Sequence, residues 1–301
     1  MDKLVFVFLQ ETIKMKNTLF NRRKFFRNST FGLIAVSLGN VSFGQKKTSV
    51  LSKGANPSDL FYRYPALSDN DVAGVVGAAH GNFDKVKKLV KNRPELAKAT
   101  WDWGFGDYES AIGAAGHMGR KDIAEFLIDY GARPDIFVFA MMGDLQVVQA
   151  MIEASPGIQS TPGPHGITLL GHAKSRLWYK DIPSADRKKA ENMIKFLEAL
   201  GNADEKTKSL SVSEEEQKIY LGEYRWGDEP DECFIVDLNS RSKYLQIGRK
   251  GTFGRSMNKI DQHLFTPGGA PSVKISFSVE NNLATSLTIH EPDPIVTATR
   301  I

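Results

Sequence analysis

Histidine and cysteine, the side chains best suited to acid-base and metal chemistry near neutral pH, are few in this 301-residue chain and mostly lie far apart in it. The six histidines are His80, His117, His165, His172, His263 and His290. None belongs to a His-Glu-x-x-His segment or to a Cys/His cluster with metal-ligand spacing. His165 and His172 are seven residues apart, a separation that could align them on a helix, but Gly163, Pro164 and Gly166 put His165 in a turn. On this reading the chain has no metal ligand, no cofactor site and no catalytic residue. If a reaction occurs, Asp102, Asp107 and His117 are its first carriers, because carboxylate and imidazole share acid-base work. A nucleophile elbow, a phosphate-binding loop and a dinucleotide fingerprint are absent, and the glycine-rich Gly248–Gly254 joins strands instead of opening a helix.

The sharper feature is the segment Trp101–Glu109, which gathers Trp101, Trp103, Phe105 and Tyr108 among glycines. Exposed aromatic side chains on a connection supply the anchors that dominate binding energy. The expected contact set for a partner is therefore Trp101, Trp103, Phe105, Tyr108 and His117, with Trp178 and Tyr179 completing the patch from a later insertion. The competing reading folds these rings back over an apolar core.

The elements that must position them form a recurring phrase, fullest at Ser110–Ala132: small residues, a glycine turn, an apolar stripe at helical spacing, then Gly-Ala. Aligning the turn glycines Gly81, Gly119 and Gly143 aligns the stripes Val86/Leu89/Val90, Ile123/Phe126/Leu127 and Val147/Val148/Met151/Ile152. Small residues before each turn let neighbouring helices approach closely. One helix pair cannot bury its apolar face alone, so the units must stack. A further unit opens at Gly166–Ala173 and closes at Ala190–Asp204 if residues 174–189 are looped out.

This pattern resembles the ankyrin repeat over residues 69–204, through the Ala-Ala, the Gly-His and the closing Gly-Ala. It departs from that family in lacking a full Thr-Pro-Leu-His and in turn-glycine spacings of 38 and 24, against about 33 for the family. The resemblance implies three or four stacked units that recognise a protein through their concave face.

Residues 1–44 read as an address. The pair Arg22-Arg23 precedes phenylalanines and a modestly apolar Ser29–Phe43, and Gly44 ends a small-residue cleavage pattern. The segment resembles a twin-arginine export signal, which implies a periplasmic or secreted bacterial protein touching membrane only through an uncleaved leader. Met15 is an alternative start. The chain holds 39 Lys and Arg against 35 Asp and Glu, and residues 1–44 carry seven of the former and two of the latter, leaving a remainder near −1. Such a remainder offers nucleic acid no electrostatic footprint. Residues 45–68 read as a flexible tether, and the lone Cys233 falls in an expected strand without a basic neighbour to activate it.

Past a polar linker at 205–217 the helical period gives way to strand-like runs at 219–224, 234–238, 244–248, 273–279 and 286–290, separated by turn residues. Residues 218–301 are expected to form a small antiparallel β-sheet or partial barrel. Tyr220-Leu-Gly-Glu-Tyr224, this strand series and the closing Ala298–Ile301 resemble the lipocalin-like accessory domain appended to secreted penicillin-binding-type serine hydrolases, although no Ser-x-x-Lys precedes it here. The chain thus reads as α + β in separate domains, a helical repeat stack followed by a β-module. The favoured function is an exported, non-catalytic protein that binds an unidentified envelope protein. The alternative is a hydrolase or small-ligand-processing protein with its site at the joint of the two parts, and a small molecule at the β-module also stays open.

Overall fold

Ser68, Asn82, Ser110, Asp135, Thr168 and Ser213 each sit one residue before a helix and accept a hydrogen bond from one of its first backbone N–H groups. These short polar side chains satisfy donors that a helix leaves orphaned, and so fix where the helices begin. A computed structural model describes residues 67–301. The export signal with Arg22, Arg23 and Gly44, and the tether up to residue 66, lie outside the described residues.

Nine α-helices and ten strands occur among the described residues. The helices come first, in pairs: α1 (Asp69–Ala79) with α2 (Phe83–Asn92), α3 (Ala111–His117) with α4 (Lys121–Asp129), α5 (Ile136–Met142) with α6 (Leu145–Ala154), and α7 (Leu169–Ser175) with α8 (Ser184–Leu200). The leading helices α1, α3, α5 and α7 pack side by side. Helix α3, Ala-Ile-Gly-Ala-Ala-Gly-His, is buried at every position, which is why it carries small residues. Gly119 shows the constraint most sharply: its φ is +67°, and a Cβ there would run into the backbone carbonyl of Ser175. The insertion is shorter than expected. Helix α7 reaches Ser175 and α8 begins at Ser184, so only residues 176–183 separate them.

Between the first and second pairs, the aromatic segment is not a loop. Strands β1 (Thr100–Asp102) and β2 (Tyr108–Ser110) pair antiparallel, with Trp101 opposite Glu109. The tip turns through Gly104, Phe105 and Gly106, all at positive φ. For Phe105 that conformation costs roughly 1–2 kcal/mol, and its ring packs on Phe234 at 6.3 Å between centroids.

The C-terminal part follows α9 (Glu214–Tyr220). Strands β3 (Gly222–Arg225), β4 (Cys233–Leu238), β5 (Leu245–Arg249), β6 (Arg255–Asp261), β7 (Leu264–Pro267), β8 (Lys274–Glu280), β9 (Leu283–His290) and β10 (Pro294–Arg300) pair in sequence order, and β10 returns to β3. The partial barrel expected from sequence is therefore a closed eight-stranded one, and closure removes the exposed edges an open sheet would present. Strands β6 and β7 had no sequence signal because Asn258, Lys259, Asp261 and Pro267 break the apolar pattern. Its core is filled with rings: Tyr220, Tyr224, Phe265 and Phe277 are buried against one another. Cys233 is buried in β4. The expected linker lies on the barrel, where Leu210 N–H donates to the Lys259 carbonyl at 2.7 Å. No helix among the described residues is long and apolar enough to cross a membrane.

Helices and barrel keep separate apolar cores, yet both lie in one compact unit. The hairpin joins them. Trp101 and Trp103 pack on the first helical core while Phe105 packs on the barrel core.

Candidate functional site

Histidines kept apart by the sequence meet where these parts join. His80 ends α1, His117 ends α3, His165 stands in the turn Pro164–Gly166 before α7, and Glu109 is the residue before the Ser110 cap of α3. One donor atom from each of the four lies within 4.8 Å of all the others. The Glu109 side chain is fully buried, with Oε1 2.9 Å from His117 Nε2 and 3.3 Å from His165 Nε2, and Oε2 3.4 Å from His80 Nε2. Glu109 Oε1 and His117 Nε2 are both buried and lack a hydrogen-bond partner of proper geometry. Buried polar atoms left this way need a reason.

The outer edges of the rings are tethered. His80 Nδ1 lies 3.1 Å from the Val76 carbonyl and 3.2 Å from that of Gly77, so it donates and leaves Nε2 as a lone pair facing the cluster. Asp107 grips His165 twice, accepting its backbone N–H at 2.9 Å and its Nδ1–H at 2.6 Å. Both contacts hold His165 at φ +61°, a conformation that disfavours non-glycine residues. Trp103 Nε1 donates to Glu109 Oε2 at 2.7 Å. Fixing the far nitrogen of an imidazole with a carboxylate or carbonyl is how proteins orient metal-ligating histidines.

The barrel contributes Arg255, the first residue of β6. Its Nη1 is 3.2 Å from Asp107 Oδ2, and its Nε donates to the Trp103 carbonyl at 3.4 Å. Nη1 also lies 3.0 Å from His165 Nδ1, but that nitrogen spends its hydrogen on Asp107 and cannot accept, so Arg255 is held by the carboxylate and the carbonyl. Its guanidinium carbon is 5.7 Å from the centre of the Trp103 ring.

Electrostatics follow from this packing. Burial works to raise the Glu109 carboxyl, yet the imidazoles of His117 and His165 hold it well below the usual carboxylate range. Burial works against charge on His165, and the Asp107 and Glu109 carboxylates overcome it, raising His165 to about 9. His80 is lowered, first by burial, then by its histidine neighbours, against the pull of Glu109. Asp107 is lowered: burial opposes the shift, and His165 and Arg255 outweigh it. His172 stands behind the cluster, its ring 6.3 Å from that of His117. Its Nδ1 is on the Thr168 carbonyl, and burial lowers it to about 4.

A cavity of about 290 Å³ opens beside the cluster, lined by Gly77, His80, Trp103, His165, Phe253 and Arg255. A second, of about 650 Å³, shares Trp103, Phe253 and Arg255 with it and runs along the hairpin.

The residues singled out in sequence are dispersed. Trp103 lines the cavity, Trp101 and Phe105 are half-buried between the cores, and of the segment's four aromatics only Tyr108 is exposed, at 65 %. Trp178 and Tyr179 are also exposed, and the Tyr179 hydroxyl donates to the Met118 carbonyl at 2.9 Å. His117, expected at a partner-contacting surface, is buried and faces Glu109. Of the acid-base suspects, Asp107 and His117 do share the cluster, while Asp102 Oδ1 accepts from Gly104 N–H in the hairpin. His80, Glu109, His165 and Arg255 were missed. One signal was available: His80 and His117 both close a leading helix just before a turn glycine, and stacking places those helix ends together. No protein-family model matches the chain, and no curated protein or solved structure matches it.

Proposed function

We propose that the protein binds a divalent first-row transition ion through His80, Glu109, His117 and His165, and acts on a small molecule that reaches the ion from the adjoining cavity. The observation that carries this is the convergence of three imidazole nitrogens on a buried carboxylate at contact distances, with Glu109 Oε1 and His117 Nε2 buried and without a hydrogen bond. Three nitrogens and one oxygen are a donor set suited to zinc, iron, nickel or copper. His80 and His165 line the cavity, so a fifth coordination position, beyond the four protein donors, faces solvent and substrate on that side. An ion held with an open position polarises a substrate oxygen or acidifies water.

In this reading the helices are an ankyrin-type stack that serves as one wall of a site, the barrel is a lipocalin-like module that supplies Arg255, and the leader exports the folded protein. What supports a small-molecule site over a protein-recognition face is where the titratable groups lie: they are buried at the joint of the two parts.

The test is metal analysis of purified protein dialysed against zinc, with His117→Ala and Glu109→Gln alongside. One equivalent in the wild type and loss in both variants is expected. Equal zinc in all three proteins would remove the proposal.

A further inference from the structure

The walls of the 290 Å³ cavity select what can approach the proposed centre, and this inference rests on that metal reading. Arg255 uses Nη1 and Nε on the protein, while its Nη2 makes no bond among the described residues, and the side chain lines the cavity. A guanidinium anchored through two nitrogens and open at the third is a rigid, pre-oriented donor for an anion. The apolar lining includes the Trp103 ring and Phe253, which is 83 % exposed on the β5–β6 turn.

Charge narrows the anion. A divalent ion, Glu109, Asp107 and Arg255 sum to one positive charge when the imidazoles are neutral, so a monoanion neutralises the site and a phosphate dianion overshoots. The cavity equals the liquid volume of roughly ten waters, room for one ring with a small substituent, and the larger space along the hairpin shares its Trp103, Phe253 and Arg255 walls.

We infer that this cavity binds a small aromatic monocarboxylate, with its carboxylate on Arg255 Nη2 beside the metal and its ring against Trp103 and Phe253. The barrel is thereby a specificity element, because it alone supplies both Arg255 and Phe253.

The test is calorimetric titration of the zinc-loaded full-length protein with benzoate, benzamide and phenyl phosphate. Benzoate is expected to bind at least tenfold more tightly than benzamide and more tightly than phenyl phosphate. Arg255→Gln should erase the preference for benzoate over benzamide, Arg255→Lys should keep part of it, and Phe253→Ala should weaken benzoate and benzamide together. Zinc content is measured for every protein. Zinc uptake with equal binding of benzoate and benzamide overturns this inference alone, as does a preference that survives in Arg255→Gln or a preference for phenyl phosphate. A wild type that takes up no zinc overturns the metal reading as well.

Discussion

Asp107 holds His165 by both its backbone and its ring, accepting the N–H through Oδ1 at 2.9 Å and Nδ1–H through Oδ2 at 2.6 Å. One carboxylate on the hairpin thus sets the position and the tautomer of a residue 58 positions later in the chain. Asp107→Asn keeps the size but can donate where it must accept. Loss of such a supporting carboxylate typically costs about 10–100-fold in metal affinity, and that loss is expected here with folding retained. Zinc competition against a chromophoric chelator measures it, and an unchanged affinity would show that Asp107 plays no part in orienting the ligand.

The same pair makes metal uptake pH-dependent. His165 stands at about 9 against 6.5 for an ordinary imidazole, so it is charged at neutral pH in the metal-free protein, and an ion must displace that proton. Zinc binding at pH 7 should release about one proton from this group, read by calorimetry in two buffers of different ionisation enthalpy. Identical heats in both buffers would contradict it.

Stability of the metal-free protein carries the matching sign. A raised histidine stabilises the fold fully below its unfolded value of 6.5 and loses that contribution as pH rises through about 9. Asp107 and Glu109 are depressed, so their contribution is present above the ordinary carboxylate values of 3.8 and 4.5 and is lost as pH falls. His172, lowered to about 4, and the lowered His80 cost stability as pH falls below 6.5, so thermal unfolding with chelator present should peak near pH 6.5 and decline toward pH 9. A midpoint that is flat across that decline would show that the His165 contacts contribute nothing.

The helix-turn glycines with alternating apolar stripes were legible because stacking demands small residues and period-3.6 faces, and most strands of the barrel were legible from their alternation. The centre was not. Each of its four residues comes from a different place in the chain, and His165 owes its position to a left-handed turn that Asp107 stabilises from the hairpin. Nor could sequence show that Phe105 adopts positive φ so that one hairpin reaches both cores. The repeated His before the turn glycine was visible, but its meaning depends on which helix ends become neighbours.

Two glycine substitutions separate backbone strain from crowding. Gly201 has φ +76° with open space where a Cβ would stand, whereas Gly119 at φ +67° faces the Ser175 backbone. Ala at Gly201 carries only the left-handed penalty of about 1–2 kcal/mol, and Ala at Gly119 should cost clearly more because α3 and α7 must separate. At about 2–4 °C per kcal/mol for a chain of this size, the two melting points should differ measurably. Equal losses would show that the approach at Gly119 is not tight.

The most direct measurement is anomalous scattering at the zinc edge from crystals grown with one equivalent of zinc. The account predicts a single strong peak about 2.0–2.2 Å from His80, His117 and His165 Nε2 and from a Glu109 carboxylate oxygen. A peak elsewhere on the molecule, or none with these four side chains ordered, would contradict it.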